Sequence, residues 1–163
     1  MERMWAPWRV EYILNPKPED CIFCGVGEDP DENRLVLFRS PLSLVMLNRY
    51  PYTNGHLLVA PCRHCPGMDM LTDDEMSDLF RLVRLCCRAL TAVAAPQGFN
   101  VGMNLGKAAG AGVDDHLHLH VVPRWNGDTN YMTVVGDVRV MPENLRTTYE
   151  RLLPYFISHK DGT

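Results

Sequence analysis

The 163-residue chain carries 16 basic and 20 acidic side chains for a net charge of -4. That balance gives no overall electrostatic reason to bind DNA or RNA, although a small phosphorylated ligand held by a local site is compatible with it. Its longest apolar windows, "LSLVML" and "HLLVA", fall far short of the roughly 20 residues that cross a bilayer. The amino terminus "MERMWAPWRVEYI" lacks the unbroken apolar core of a secretory signal, so a cytoplasmic protein with no membrane partner and with its six cysteines reduced is expected.

Residues 1–20, rich in Trp, Pro and charge, read as an extended arm ending in the turn-prone "NPKPED". Next comes "CIFC" (Cys21, Cys24), whose spacing suits either a zinc half-site or two reduced thiols in a turn. "RLVLFRS" and "LSLVMLN" read as strands on either side of Ser40 and Pro41, and "HLLVAP" as a third after "PYTNG". The clearest helix is "LTDDEMSDLFRLVRLCCRALTAVAAP". Thr72 and Glu75 form a capping-box pattern, Met76, Leu79, Phe80, Val83, Cys87, Leu90 and Ala94 recur at helical spacing, and Pro96 and Gly98 stop it. Cys86 and Cys87 read as small core residues.

"FNVGMN" then reads as a strand, "LGKAAGAGVDD" as a glycine-rich loop, and "HLHLHVV" as a strand ended by Pro123. A last helix is expected from near Pro142, carrying Leu145, Tyr149, Leu152 and Leu153. The expected fold is α+β, an antiparallel sheet of about five strands with a long helix packed on one face and a C-terminal helix. One domain is expected: the arm 1–20, a catalytic core 21–125, and a C-terminal segment and helix 126–163.

Three of the six histidines, His116, His118 and His120, alternate along "DDHLHLHVVPRW". On a strand they line one face while Leu117, Leu119 and Val121 line the other. Three imidazoles on one face make an expensive polar patch without a packing benefit, which points to chemistry. Either they ligate a metal, or one is a nucleophile supported by the others. The preceding "GMNLGKAAGAG" offers glycines that let backbone approach a ligand, the Asn104 amide and the Lys107 ammonium, all suited to phosphate oxygens.

With these stretches in view, the chain resembles the histidine triad (HIT) family of nucleotide hydrolases and transferases. "HLHLHVV" has the family's form, and "NGHLLVAP", the following "RH", "GMNLG", "VVPRWNGDTNYM" and "MWAPWRVEYI" look like the branch containing diadenosine tetraphosphate phosphorylases. The resemblance implies a HIT-like fold in which His118 attacks an α-phosphorus and forms a nucleotidyl-histidine intermediate. It further implies that His120 hydrogen-bonds the phosphate or bridging oxygen, and that His56 helps orient the nucleophile. Asn104, Gly106, Lys107 and Gly112 are the implied nucleotide-binding residues, and a homodimer with sheets joined across the two-fold axis is implied as well.

From the same resemblance comes a structural zinc site of Cys21, Cys24, His64 and His116, with no organic cofactor; Cys62 and Cys65 are rival ligands around His64, but so close a separation is awkward for a shared tetrahedral site, and they read as packing or solvent-side residues. One departure stands out: many members carry glutamine near the position of Gly112, and here Asp114 and Asp115 add negative charge beside it. The expected function is cleavage of adenylated phosphoanhydrides, such as dinucleoside polyphosphates, by hydrolysis or nucleotidyl transfer. Alternatives are a nucleoside phosphoramidate hydrolase, a nucleotide sensor with slow catalysis, and a zinc hydrolase that uses His116, His118 and His120 as ligands.

Overall fold

The computed structural model describes residues 21–24, 30–109, 116–128 and 143–160, apart from the side chains of Lys107 and Lys160. The arm 1–20, Gly112, Asp114, Asp115, the segment 129–142 and the Lys107 side chain therefore lie outside the described residues. Five strands, β1 (Val36–Arg39), β2 (Ser43–Leu47), β3 (Leu57–Pro61), β4 (Gly98–Gly102) and β5 (Leu119–Arg124), form one sheet in the order β1-β2-β3-β5-β4. Every neighbouring pair is antiparallel. The long helix α1 (Asp73–Ala94) connects β3 to β4, and α2 (Leu145–Lys160) follows the sheet. This is the α+β arrangement expected from the sequence. Among the described residues no helix is long and apolar enough to cross a membrane.

Both faces of the central strands are covered, which explains why "SLVML" and "LLVAP" read as continuous apolar runs rather than alternating ones. Val45, Leu47, Leu57, Val59, Leu119 and Val121 face the helices and share a core with Leu79, Leu82, Cys86 and Leu90 of α1 and Tyr149, Leu152 and Phe156 of α2. On the opposite face a smaller cluster gathers Val36, Leu44, Met46, Leu58 and Ala60 around Phe23. That second face also carries the histidine row.

The Thr72–Glu75 capping box is present in full: the Thr72 hydroxyl accepts from the Glu75 N–H at 3.2 Å, and the Glu75 carboxylate accepts from the Thr72 N–H at 2.9 Å. Glu75 also takes a two-pronged ion pair from Arg63, at 2.9 and 2.8 Å, so the loop after β3 is fastened to the first turn of α1. One detail of α1 differs from the sequence pattern. Phe80 is 52% exposed, because the buried stripe runs through Leu79, Leu82, Val83, Cys86, Ala89 and Leu90 and leaves residue 80 on its outer side. The helix ends on Ala95 in the left-handed conformation (φ 45), immediately before Pro96.

Two boundaries also move. Pro123 does not end β5; it sits inside the strand, paired with Phe99. Its carbonyl accepts from the Thr53 hydroxyl, and in a strand the N and C=O of one residue point the same way, so its missing N–H would face Thr53 rather than a ladder partner. The last helix starts at Leu145, three residues after Pro142, where the Asn144 side chain accepts from the Thr147 N–H at 2.8 Å and caps it.

The Arg63 hydrogen bonds, followed by the Thr72 N–H, hold the Glu75 carboxyl down to about 2, below its ordinary 4.5. A carboxylate with a lowered folded-state pKa contributes stability that is complete above pH 4.5 and is lost as pH falls towards 2. Glu75→Gln should therefore cost about 1 kcal/mol near neutral pH, the scale of a cap, and the gap to wild type in chemical denaturation should close across that acid window.

Candidate functional site

The site is assembled by the pairing of β3 with β5. Leu58 lies directly opposite His120, and His56 stands one residue before β3. The turn that delivers His56 demands glycine at Gly55: φ is +76, and a Cβ there would come within 3.0 Å of Leu90 Cδ2. On the other side Gly102 of β4 is paired with His120, so the glycine-rich loop leaves the sheet beside that imidazole. Asn104 and Gly106 (φ +79) lie in this loop. His116 and His118 precede β5 rather than lying within it, yet both are buried, and the Leu117 N–H is held by the Cys65 carbonyl at 2.7 Å.

Hydrogen bonds decide where each imidazole proton sits. Asn48 Oδ1 accepts from the Tyr50 N–H at 2.9 Å, so the amide nitrogen of Asn48 faces His56 and donates to its Nδ1 at 3.2 Å. The Tyr52 N–H donates to the same atom at 3.1 Å. Nδ1 of His56 is therefore unprotonated, its Nε2 carries the hydrogen, and that N–H donates to His120 Nδ1 at 2.9 Å. The proton of His120 must then be on Nε2. That atom is buried and has no hydrogen-bond partner among the described residues.

His118 is set the opposite way. Its Nδ1–H donates to the backbone carbonyl of His116 at 2.9 Å, which leaves the Nε2 lone pair free. The His118 and His120 rings meet edge to face with centroids 4.9 Å apart. Two aromatic residues bracket the row: Phe23 packs against His116 and His118, and Tyr52 against His56 and His120. Burial, then the adjacent His120 and His118, pushes His56 down to about 3; burial, then His118, pushes His120 down to about 4. Burial also lowers His118 and His116. An unprotonated nitrogen thus stands beside a neutral N–H donor, a combination that can attack an electrophile and stabilise the charge that develops.

At the start of the row, Cys21, Cys24, His64 and His116 bring their ligand atoms within 4.8 Å of one another. Cys21 Sγ and Cys24 Sγ lie 3.2 and 3.3 Å from His116 Nδ1, and Cys24 Sγ lies 3.1 Å from His64 Nδ1. A tetrahedral zinc with two sulfur and two nitrogen ligands has S···N edges of about 3.6 Å, and these three edges fall within a few tenths of an ångström of that figure. His116 Nε2–H donates to the Pro61 carbonyl at 2.9 Å, which turns the Nδ1 lone pair towards the thiols. Burial and the neighbouring Cys21 push the metal-free Cys24 thiol up to about 11, so a metal has to displace its proton. These residues fit a closed metal site.

No other group of metal-ligating side chains converges among the described residues, which leaves the alternative of His116, His118 and His120 sharing one ion without support. Cys65 donates to the Gly67 carbonyl and Cys62 packs on the smaller core, both as packing residues. Arg124 is taken by Asp128 and Asn100, and the Trp125 indole by the Ala94 carbonyl. Asn48, Tyr52 and Phe23 were missed by the sequence pattern. The only trace of them there is an aromatic inside "CIFC" and polar turn residues ahead of "NGH".

Because His56 and His120 have folded-state pKa values far below the 6.5 of free imidazole, the unfolded chain takes up protons first as pH falls. Stability is complete above pH 6.5 and drains as pH drops towards 4 and 3. Thermal unfolding should fall from pH 6.5 to about 5, above the range in which Glu75 titrates, and His56→Asn should flatten that slope.

Residues 30–127 match the HIT domain model. An AP-4-A phosphorylase of Mycobacterium tuberculosis is 40% identical over 162 residues, covering 94% of this chain and 83% of that protein. An adenosine 5'-monophosphoramidase of Schizosaccharomyces pombe is 30% identical over 132 residues, covering 81% of this chain and 95% of that protein. Among solved structures, a zinc-bound histidine triad family protein from Mycobacterium smegmatis superimposes with a TM-score of 0.64 at 24% identity, over 79% of this chain and 88% of that one. With its strand order, its row of imidazoles and these matches together, the chain belongs to the HIT domain family.

Proposed function

We propose that this protein is an enzyme that cleaves adenylated phosphoanhydrides, dinucleoside polyphosphates in particular, through a nucleotidyl-histidine intermediate. The observation that carries this reading is the buried Nε2 of His120, a donor with no acceptor among the described residues, beside the unprotonated Nε2 of His118. A buried donor left without an acceptor costs roughly 1–3 kcal/mol, a cost that a bound phosphate oxygen would relieve. His118 Nε2 attacks the α-phosphorus, a P–N bond forms, and the bond to the bridging oxygen breaks. The His120 N–H stabilises the charge gathering on the phosphate or the departing oxygen, and His56 holds His120 in that tautomer. An acceptor, water or inorganic phosphate, then breaks the P–N bond and regenerates His118.

Asn104, Gly106, Lys107 and Gly112 are the proposed contacts to phosphate and ribose, the first two from the loop that leaves β4 beside His120. The similar M. tuberculosis protein is named a phosphorylase of AP-4-A, which favours diadenosine tetraphosphate as substrate and phosphate as acceptor. A phosphoramidate substrate is the second reading, favoured by the similar S. pombe monophosphoramidase; it uses the same intermediate with a different leaving group. Zinc is the proposed metal for Cys21, Cys24, His64 and His116. With four protein ligands it supplies rigidity, tying the "CIFC" turn to the catalytic row, rather than an open coordination position. A homodimer is also proposed, through the β4 edge: Asn100, Val101 and Gly102 are exposed there, Val101 at 44%, whereas β1 at the other edge is largely buried.

Incubation with diadenosine tetraphosphate, with and without inorganic phosphate, and separately with an adenosine phosphoramidate should identify leaving group and acceptor. His118→Asn should lower turnover by at least about a thousandfold while sparing nucleotide binding; retained turnover in that variant would overturn the mechanism. Protein purified without added zinc should contain the metal stoichiometrically, and Cys21→Ser should lose it and unfold at lower temperature. A metal-free protein with undiminished stability would overturn the zinc site.

A further inference from the structure

Phe23 stands between the two cysteines of the metal cluster, in a turn closed by the Cys24 N–H on the Cys21 carbonyl at 3.1 Å. Most side chains in such short turns are at least partly solvated, and the adjacent Ile22 is 38% exposed. Phe23 is 0% exposed. Its ring lies between the two sites: centroids are 5.0 Å from His116, a metal-cluster residue, and 5.1 Å from His118, tilted by 52° and 34°. It shares the smaller core with Val36, Leu44, Met46, Leu58 and Ala60.

His118 needs such a neighbour. The Nδ1–H bond to the His116 carbonyl fixes one corner of the ring, and the ring can still swing about that corner unless its faces are packed. The His120 ring covers one side, and Phe23 covers another. The His116 carbonyl that holds the first corner belongs to a residue whose side chain joins the Cys21 and Cys24 cluster. Two of the three restraints on the His118 ring, the His116 carbonyl and Phe23, therefore come from a residue of that cluster and from the turn between its two cysteines.

Building on the proposed role of His118 as nucleophile, we propose that Phe23 is a positioning residue that couples metal binding to the aim of that imidazole. Ligation of Cys21 and Cys24 fixes the turn, the turn seats Phe23, and Phe23 holds the His118 ring with Nε2 presented to the substrate. Loss of the metal frees the turn, and the ring samples other orientations. In near-attack geometry an error of about 1 Å can cost on the order of a hundredfold in rate, so a wall at van der Waals distance is enough to matter.

The test uses the full chain, wild type and Phe23→Leu, each loaded with zinc and after chelation, with two readouts. Histidine side-chain nitrogen spectra report the His118 tautomer and its exchange, and steady-state kinetics on diadenosine tetraphosphate separate kcat from KM. Zinc-loaded wild type should give one sharp Nδ1–H signal set for His118, and chelation should broaden or split it. Phe23→Leu should still bind zinc stoichiometrically, yet show the broadened pattern with zinc present and a kcat lowered roughly ten- to a hundredfold at nearly unchanged KM. Where chelation unfolds the chain, the zinc-loaded variant decides alone. A Phe23→Leu protein with wild-type His118 signals and kcat overturns the proposal, even if it unfolds at lower temperature, and so does a wild type that binds no zinc. Retained turnover in His118→Asn would instead remove the nucleophile assignment, while the nitrogen spectra would still report whether Phe23 holds the ring.

Discussion

A neutral imidazole carries a single N-bound proton, and the arrangement of the histidine row follows from where the surrounding hydrogen-bond partners force that proton to sit. Two donors converge on His56 Nδ1, so its hydrogen is displaced to Nε2; His120 receives it on Nδ1 and must present its own hydrogen at the far nitrogen. At His118 a backbone carbonyl takes the Nδ1 hydrogen and the far nitrogen is left bare. Neighbouring rings of the same residue type thus acquire opposite chemical character without any charged side chain taking part. Burial keeps the arrangement neutral, because a second proton on any of these rings would have to be accommodated away from water.

The sheet is what makes such a row tolerable. Its helix-facing side holds the larger core, contributed by all five strands, the edge β4 only through half-buried Phe99, together with both helices. That side carries the burden of stability, and the opposite face is free to hold polar side chains above a small apolar patch. Leu57 and Leu58 illustrate the division within two residues: one enters the main core, and the next lies opposite His120.

How much of this was legible in the sequence depended on whether a feature is periodic. The alternation of His116, His118 and His120 with leucines announced two unlike faces because side chains on extended backbone repeat every second residue. The Thr72–Glu75 cap was legible for a similar reason, being a local pattern with a fixed spacing. Pro123 misled because the rule that proline ends strands assumes a ladder on both sides, and here one side offers only the Thr53 hydroxyl. Phe80 misled because a helical stripe wide enough to include it exceeds the face that the sheet covers. Asn48 and Tyr52 act through a backbone N–H and an amide in an aperiodic turn, and no residue pattern encodes which atom such groups will face. The gathering of Cys21, Cys24, His64 and His116 depends on chain separations of up to 95 residues, so spacing could indicate only the cysteine half; the histidines came from family likeness.

The ion pair between Arg63 and Glu75 has a mechanical meaning. Arg63 precedes His64 in the chain and also donates to the Met70 carbonyl, so the excursion from β3 to the start of α1 is cinched at one carboxylate. That carboxylate is also the cap of α1. Fraying at the helix entrance and slackening of the loop beside the cluster are consequently a single event, and amide exchange in residues 72–76 would register the integrity of a centre to which none of those residues belongs.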